Sequence, residues 1–229
     1  MPHSLRHLLL VEDDASWRGR LADAARAEGL AVTHASDGME ALDWLRTRPR
    51  AGHPDLILLD LLMPRMDGWE LYGRLRTDAR LRHLNVLMFS EALHGQELPL
   101  GGVVGYLRKP HTPEAMLSAL RARLRQLSPG ATREPGGAYA LRLDEGVSLA
   151  LRMLPAARAH GLRMHLLHAA ELVGTELPMA STWLMALPGV PPALLVTVDG
   201  VRVVLDVDDE ARTLTASTID VPPGVLERS

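Results

Sequence analysis

The sequence predicts an α/β protein: a five-stranded, doubly wound parallel sheet, followed by a smaller α+β domain with a helix pair and an antiparallel sheet. Three observations predict it. Short unbroken apolar runs such as Leu8–Val11, Leu56–Leu59 and Val86–Phe89 end in polar residues. They are too short for buried helices and suit strands buried on both faces. Amphipathic stretches closed by glycine or proline separate them, the alternation that builds a sheet covered by helices. After residue 138 the pattern changes to interrupted helical segments and closely spaced β-rich runs.

Each element follows in turn. Leu8–Val11 is the first strand and runs into Glu12-Asp13-Asp14. Residues 15–28 carry Trp17, Leu21, Ala24 and Ala25 at helical spacing and close at Gly29. Leu30–Ala35 is the second strand, and a helix opening at Asp37-Gly38 passes through Ala41, Leu42 and Leu45 and stops near Pro49. Leu56–Leu59, the third strand, delivers Asp60 at its carboxyl end. Pro64 and Gly68 bracket a loop before a helix of about 69–78. Val86–Phe89 ends at Ser90, and Val103–Leu107 leads to Lys109-Pro110. Between them ALHGQELPLGG (92–102) is a poor helix, and 113–127 is the last helix of the series.

Composition excludes several classes. The chain has 229 residues, 47% hydrophobic and 23% charged, which is ordinary globular usage. It has no cysteine, hence no disulfide scaffold, thiolate zinc site or cysteine nucleophile. No run reaches the roughly 18 apolar residues of a membrane span, and the first residues lack the form of a secretory signal. The expectation is a soluble, cytoplasmic protein without a membrane partner. The net charge of -3 offers no global basic field. The basic residues are arginines with one exception, Lys109.

Parallel sheets bind ligands beyond the carboxyl ends of their strands. The polar residues there are Glu12, Asp13, Asp60, Ser90 and Lys109, contributed by four strands. Singly, each reads as a solvated cap or loop residue. Together they have a chemical logic. Clustered carboxylates are hard oxygen ligands suited to Mg2+. A carboxylate beside a metal and an ammonium can act as nucleophile toward a phosphoryl group, whose charge both cations offset.

The segments LLLVEDD (8–14), PDLILLDLLMPRMDGWEL (54–71), VLMFSEA (86–92) and GYLRKP (105–110) carry a resemblance. Residues 5–127 resemble the receiver domain of bacterial two-component response regulators, a flavodoxin-like fold. The resemblance implies that Asp60 is the phosphorylation site, with a sensor histidine kinase as donor. It implies that Glu12, Asp13, Asp60 and the backbone carbonyl of Leu62 hold Mg2+. Lys109 and Ser90 would contact the phosphoryl group, Ser90 and Tyr106 would form the switch pair, and the bond before Pro110 would be cis. One position departs from the family: Glu91 follows the switch hydroxyl where a small residue is usual, and we expect it to point outward. Leu62 and Ala92 flank the path of the hydrolytic water by the same resemblance. Neither can hydrogen-bond water, so slow dephosphorylation is expected.

The organisation expected is a receiver at 1–127, a linker at 128–138 (SPGATREPGGA) and an atypical output module at 139–229. Residues 130–229 hold 8 Arg against 12 acidic residues, and the residues before them 17 basic against 16 acidic. Helices are expected over about 145–159 and 162–173, broken at Pro155 and Gly161. Strands are expected at 182–187, 193–198, 201–207 and 211–217, with Asp199-Gly200 as a hairpin turn. An acidic module without a basic recognition helix disfavours DNA, although helices with a hairpin leave a DNA-binding regulator as the alternative. Neither a phosphate-cradling glycine loop nor an H-E-x-x-H spacing is present. His165 and His168 share a helix face and are expected to be structural. Asp206, Asp208, Asp209 and Glu210 are expected to form a solvated turn. The favoured reading is a protein-interaction or homodimerisation module, with Leu151, Leu154, Leu162 and Leu166 offered to a second copy.

Overall fold

The computed structural model describes residues 6–90, 100–109, 115, 118–120, 122, 139–173, 183–187, 192–223 and 225. The chain forms two compact units, one built on the strands between residues 7 and 108, the other on residues from Gly136 onward.

The first unit runs β1 (His7–Val11), α1 (Ala15–Ala27), β2 (Ala31–Ala35), α2 (Gly38–Arg46), β3 (Leu56–Asp60), α3 (Gly68–Thr77), β4 (Val86–Ser90) and β5 (Val103–Arg108). Its sheet has the order β2-β1-β3-β4-β5, and every pairing is parallel. The five-stranded parallel sheet is therefore present as expected. Each of the three helices opens on an aspartate. Asp14 accepts from the amides of Ser16 and Trp17, Asp37 from Glu40 and Asp67 from Glu70. These caps satisfy amides that have no partner within the helix.

All residues of β3 and β4 are buried. On one face Leu8, Leu10, Leu56, Leu58, Leu87 and Phe89 pack with Leu21 and Ala25 of α1 and with Leu120. The alternate residues point to the other face, where α2 packs on β1 and α3 on α2. Residues 92–99 of the expected poor helix and the expected linker lie outside the described residues, and Leu100–Gly102 are not helical.

A buried arginine fixes the approach to β5. Arg76 of α3 is 2% exposed. It donates to the carbonyls of Arg82 (2.8 Å), Leu84 (2.6 Å) and Gly101 (3.1 Å). Tyr72, one helical turn earlier, donates to Gly101 as well (2.9 Å). Gly102 sits at φ 70, and a Cβ there would lie 1.8 Å from Arg76 Nη1.

The second unit contains β6 (Ala140–Leu143), α4 (Glu145–Met153), α5 (Ala156–Leu172), β7 (Leu184–Leu187), β8 (Ala193–Val198), β9 (Val201–Asp208) and β10 (Thr213–Asp220). The sheet order is β6-β10-β9-β8-β7. Three pairings are antiparallel, while β6 joins β10 in parallel. The α+β class is as expected, but the sheet is mixed and has five strands where four were expected. The additional strand, ALRL, is a short half-buried edge with too few residues to show a period.

Two further expectations are corrected. The helix pair breaks only at Leu154-Pro155, where proline forces its neighbour out of the helical region (Leu154 ψ 148). Gly161 stays inside α5, whose packing outweighs the roughly 1 kcal/mol that glycine costs a helix. Leu151, Leu154, Leu162 and Leu166 are 1%, 6%, 1% and 0% exposed and form the core of the unit with Val196, Val203 and Leu205. They are not available to a second copy. The Asp199-Gly200 hairpin holds, with φ of 50 and 82. The next turn extends to Arg212, also at positive φ (50), so β10 starts at Thr213.

These positions give opposed expectations for one substitution type. Gly161→Ala meets nothing within 4 Å and should stabilise the protein by about 0.5–1 kcal/mol. Gly102→Ala should destabilise it by about 1–3 kcal/mol, through both the positive φ and the clash with Arg76. Urea denaturation of the two variants checks both signs.

Candidate functional site

The site lies at the carboxyl ends of β1, β3, β4 and β5. Because β1, β3, β4 and β5 are consecutive in the sheet, the residues just beyond them are brought side by side. Glu12 and Asp13 follow β1, Asp60 ends β3, Ser90 ends β4 and Lys109 follows β5.

Carboxylate oxygens of Glu12, Asp13 and Asp60 lie within 4.8 Å of one another. Glu12 and Asp60 are 0% and 2% exposed, while Asp13 faces solvent. Lys109 Nζ donates to Asp60 Oδ2 at 2.6 Å and pairs with Glu12 Oε2 at 2.9 Å. To reach them it passes over β4, where the ammonium stands 4.8 Å from the centre of the Phe89 ring. Its backbone amide donates to Ser90 O at 3.0 Å. The other carboxylate oxygens take backbone donors: Leu62 N to Asp60 Oδ1 (3.2 Å) and Asp14 N to Glu12 Oε1 (3.2 Å).

Two residues hold the backbone around this cluster. A Cβ on Gly68, the first residue of α3, would lie 2.1 Å from Asp60 O, so only glycine lets the helix start pack against the strand end. Arg18 of α1 donates to the carbonyls of Glu12 (2.6 Å) and Asp13 (3.0 Å). That fixes the acidic turn from its backbone side.

Burial and like charge set the protonation chemistry. Burial first, and then the charge of Asp60, push the Glu12 carboxyl up to about 7, against the opposing pull of Lys109. Burial also raises Asp60, with Lys109 opposing it. For Lys109 burial works against the charge, but Asp60 and Glu12 outweigh it and hold the ammonium above its ordinary range. With every group ionised, three carboxylates face one ammonium. A hard divalent cation fits that donor set and that surplus of negative charge.

Of the residues singled out in the sequence, the fold brings together Glu12, Asp13, Asp60 and Lys109, with the exposed Leu62 two residues past Asp60. Ser90 is fully buried at the end of β4, and Tyr106 is half-buried on β5 in register with Met88. Pro110, Glu91 and Ala92 lie outside the described residues. Sequence reasoning missed Arg18 and the role of Phe89. No periodicity marks them, though an arginine one turn into the helix that follows the acidic run is a usable signal. Gly68 was read as a loop boundary, not as a point of close approach.

Residues 8–121 match the family described as the response regulator receiver domain. They form a receiver domain. Two curated relatives are Response regulator MprA of Mycobacterium sp. (strain KMS) and of Mycobacterium avium (strain 104). They are 35% and 34% identical over 123 residues, 53% of this chain and 52% of each relative. The chain spans about half the length of the curated relatives it matches. The chemotaxis response regulator CheY4 of Vibrio cholerae is 28% identical, covering 52% of this chain and 98% of its own, with a TM-score of 0.41. The second unit lies outside the family match.

Elsewhere among the described residues no other group of three metal-ligating side chains comes together. In the second unit His165 and His168 pack on Trp183, with ring centroids at 5.0 and 5.5 Å. Asp208 accepts from the amide of Ala211 within its own turn (2.8 Å), and Asp209 accepts from the Tyr139 hydroxyl, just ahead of β6 (2.7 Å). No helix of the described residues is long and apolar enough to cross a membrane.

The receiver's buried acid gives a pH signature. A carboxyl with a folded pKa above its unfolded value contributes stability that is complete below the unfolded pKa and lost as pH rises through the folded one. For Glu12 that window runs from 4.5 to about 7. In chelator-containing buffer, the stability advantage of Glu12→Gln over the unaltered protein should grow by about 2 kcal/mol between about pH 5 and pH 8. A pH-independent difference in urea midpoints would refute the assignment.

Proposed function

We propose that the protein is a phosphorylation-switched response regulator, acting in the cytoplasm, in which Asp60 accepts a phosphoryl group from a sensor histidine kinase. The observation that carries this reading is the Lys109 ammonium shared between Asp60 and Glu12 over the ends of three strands. It sets a cation where the oxygens of an incoming phosphoryl group would lie.

An Asp60 carboxylate oxygen attacks phosphorus as the bond from phosphorus to the kinase imidazole nitrogen breaks. The bonding pair returns to that nitrogen, and an acyl phosphate remains on Asp60. Lys109 exchanges its carboxylate contact for a phosphoryl oxygen, so its charge is offset on both sides of the step. Glu12, Asp13, Asp60 and the Leu62 carbonyl would hold Mg2+, which supplies charge neutralisation at the phosphoryl oxygens. The Ser90 hydroxyl donates to the transferred group, and the Tyr106 ring turns inward behind it. The pair is a two-state element biased by a local charge. By family resemblance the Lys109–Pro110 bond would be cis. The chain is not an enzyme for a separate substrate. It serves its own phosphorylation and slow dephosphorylation.

The second unit transmits the state through protein contact, with a homodimer or another protein. Its charge supports this, and so does the orientation of α5. On that helix four of the five basic residues a DNA backbone would need are engaged internally. His160 is 2% exposed, Arg158 bonds the Val225 carbonyl, and His165 and His168 lie against Trp183.

Asp60→Asn should abolish labelling by a small phosphodonor, and chelation of divalent metal should do the same to the unaltered protein. Labelling that persists in the variant would refute the acceptor. The phosphorylated protein should lose label over minutes or longer at neutral pH. A half-life of seconds would contradict the reading of Leu62 and Ala92. Retarded migration of specific promoter DNA that strengthens on phosphorylation would decide for a DNA-binding output instead.

A further inference from the structure

We infer that α4 carries a self-complementary stripe through which two copies of the chain associate in an antiparallel, two-fold arrangement. This deepens the interaction reading of the second unit given above and rests on it.

The helix reads EGVSLALRM over Glu145–Met153. Val147 and Leu151 face the core, each 1% exposed. On the opposite side Glu145, Leu149, Arg152 and Met153 recur at i, i+4, i+7 and i+8. That spacing puts them in one stripe about 100° wide. All four are exposed, and the two apolar ones strongly so, Leu149 at 62% and Met153 at 67%. An acid in the first turn and a base in the last serve the helix's own macrodipole. That accounts for Glu145 and Arg152 but not for two large apolar side chains in water between and beyond them.

The order of the stripe selects the occupant. A two-fold axis through Leu149 stacks that residue on its own copy. It sets Glu145 of one helix beside Arg152 and Met153 of the other, and the reciprocal pair forms at the far end. The antiparallel helices also place each positive dipole end beside a negative one. At Gly146 an added Cβ would meet nothing within 4 Å, so the stripe has a flat shoulder on which the Met153 side chain of the partner can lie. A polyanion or a uniformly charged surface would match only one end of the stripe, whereas a second copy matches both. The nine residues of α4 span about 13 Å. The contact is therefore small and of the transient class.

Sedimentation of the full chain over a concentration series, with and without beryllofluoride, tests this. Leu149→Glu should weaken self-association about tenfold or more, with an unchanged thermal melt because the side chain is exposed. Glu145→Arg and Arg152→Glu should each weaken it, since each turns both 145–152 pairs across the axis into like-charge pairs. An equal mixture of those two variants should associate more tightly than either alone. If Leu149→Glu associates like the unaltered chain, or the mixture gains nothing, the stripe is overturned while a dimerising second unit stands. If the unaltered chain stays monomeric up to about 300 µM in both states, where association is worth less than about 5 kcal/mol, self-association itself is overturned.

Discussion

Three carboxylates gathered at the ends of two neighbouring strands repel one another, and the fold keeps them together with a single lysine. Asp60 and Glu12 are almost entirely removed from water, so their charges are costly unless paired. Lys109 supplies that pairing from β5, two strands away from Asp60. The sheet must therefore hold β1, β3, β4 and β5 in fixed order and register before the site exists. In return, the site is under-neutralised. One ammonium against three carboxylates leaves Glu12 poised near neutrality and leaves room for further positive charge. A site satisfied within itself would have no electrostatic reason to take up a cation or to be changed by a phosphoryl group.

That imbalance connects to the surrounding frame through short, rigid links. The Lys109 amide bonds the Ser90 carbonyl, so the cation and the end of β4 share one backbone contact. The entry to β5 is held by Arg76 and Tyr72, both on α3. The start of α3 in turn approaches the Asp60 carbonyl so closely that only Gly68 fits. One helix thus touches the end of β3, at Asp60, with its first residue and anchors the entry to β5 two turns later. A change in charge at Asp60 acts on elements that are already mechanically joined. Packed interiors respond to such changes by discrete repacking and not by gradual yielding.

The receiver was legible because its signals are redundant. β1, β3 and β4 are buried on both faces and leave unbroken apolar runs. Each ends in a polar residue, and the sheet order alone makes those residues neighbours. The role of Gly68 was illegible, and that of Arg18 only hinted at by its place one turn into α1, because both depend on distances to backbone atoms that sequence spacing does not carry. The second unit was harder to read for a different reason. ALRL is an edge strand, half-buried with only Arg142 exposed, and too short for a period. Gly161 was misread as a break because its intrinsic cost is real, but the tertiary packing of a seventeen-residue helix overrides it. The same packing buried Leu151, Leu154, Leu162 and Leu166. Apolar residues on a helix pair announce a core and a contact surface in the same letters, and only burial separates them.

The surface left after that separation is small, and its size bears on how a phosphoryl signal is read out. An interface of large apolar area would hold two copies together in either state, leaving the receiver nothing to decide. A contact on the scale of one short helix leaves the monomer populated. A ligand or modification shifts an equilibrium only by the difference in its effect on the two states. A change of about 1.4 kcal/mol alters association tenfold, and that matters only when the two species are of comparable population beforehand. The acidity of the second unit works in the same direction. Like net charges on two copies oppose association at long range, and the stripe proposed on α4, in which acid would meet base, would offset that repulsion locally. Weak, orientation-specific attraction against a background of mild repulsion is the physical condition under which one added charge on the proposed acceptor would be sufficient to change an oligomeric balance.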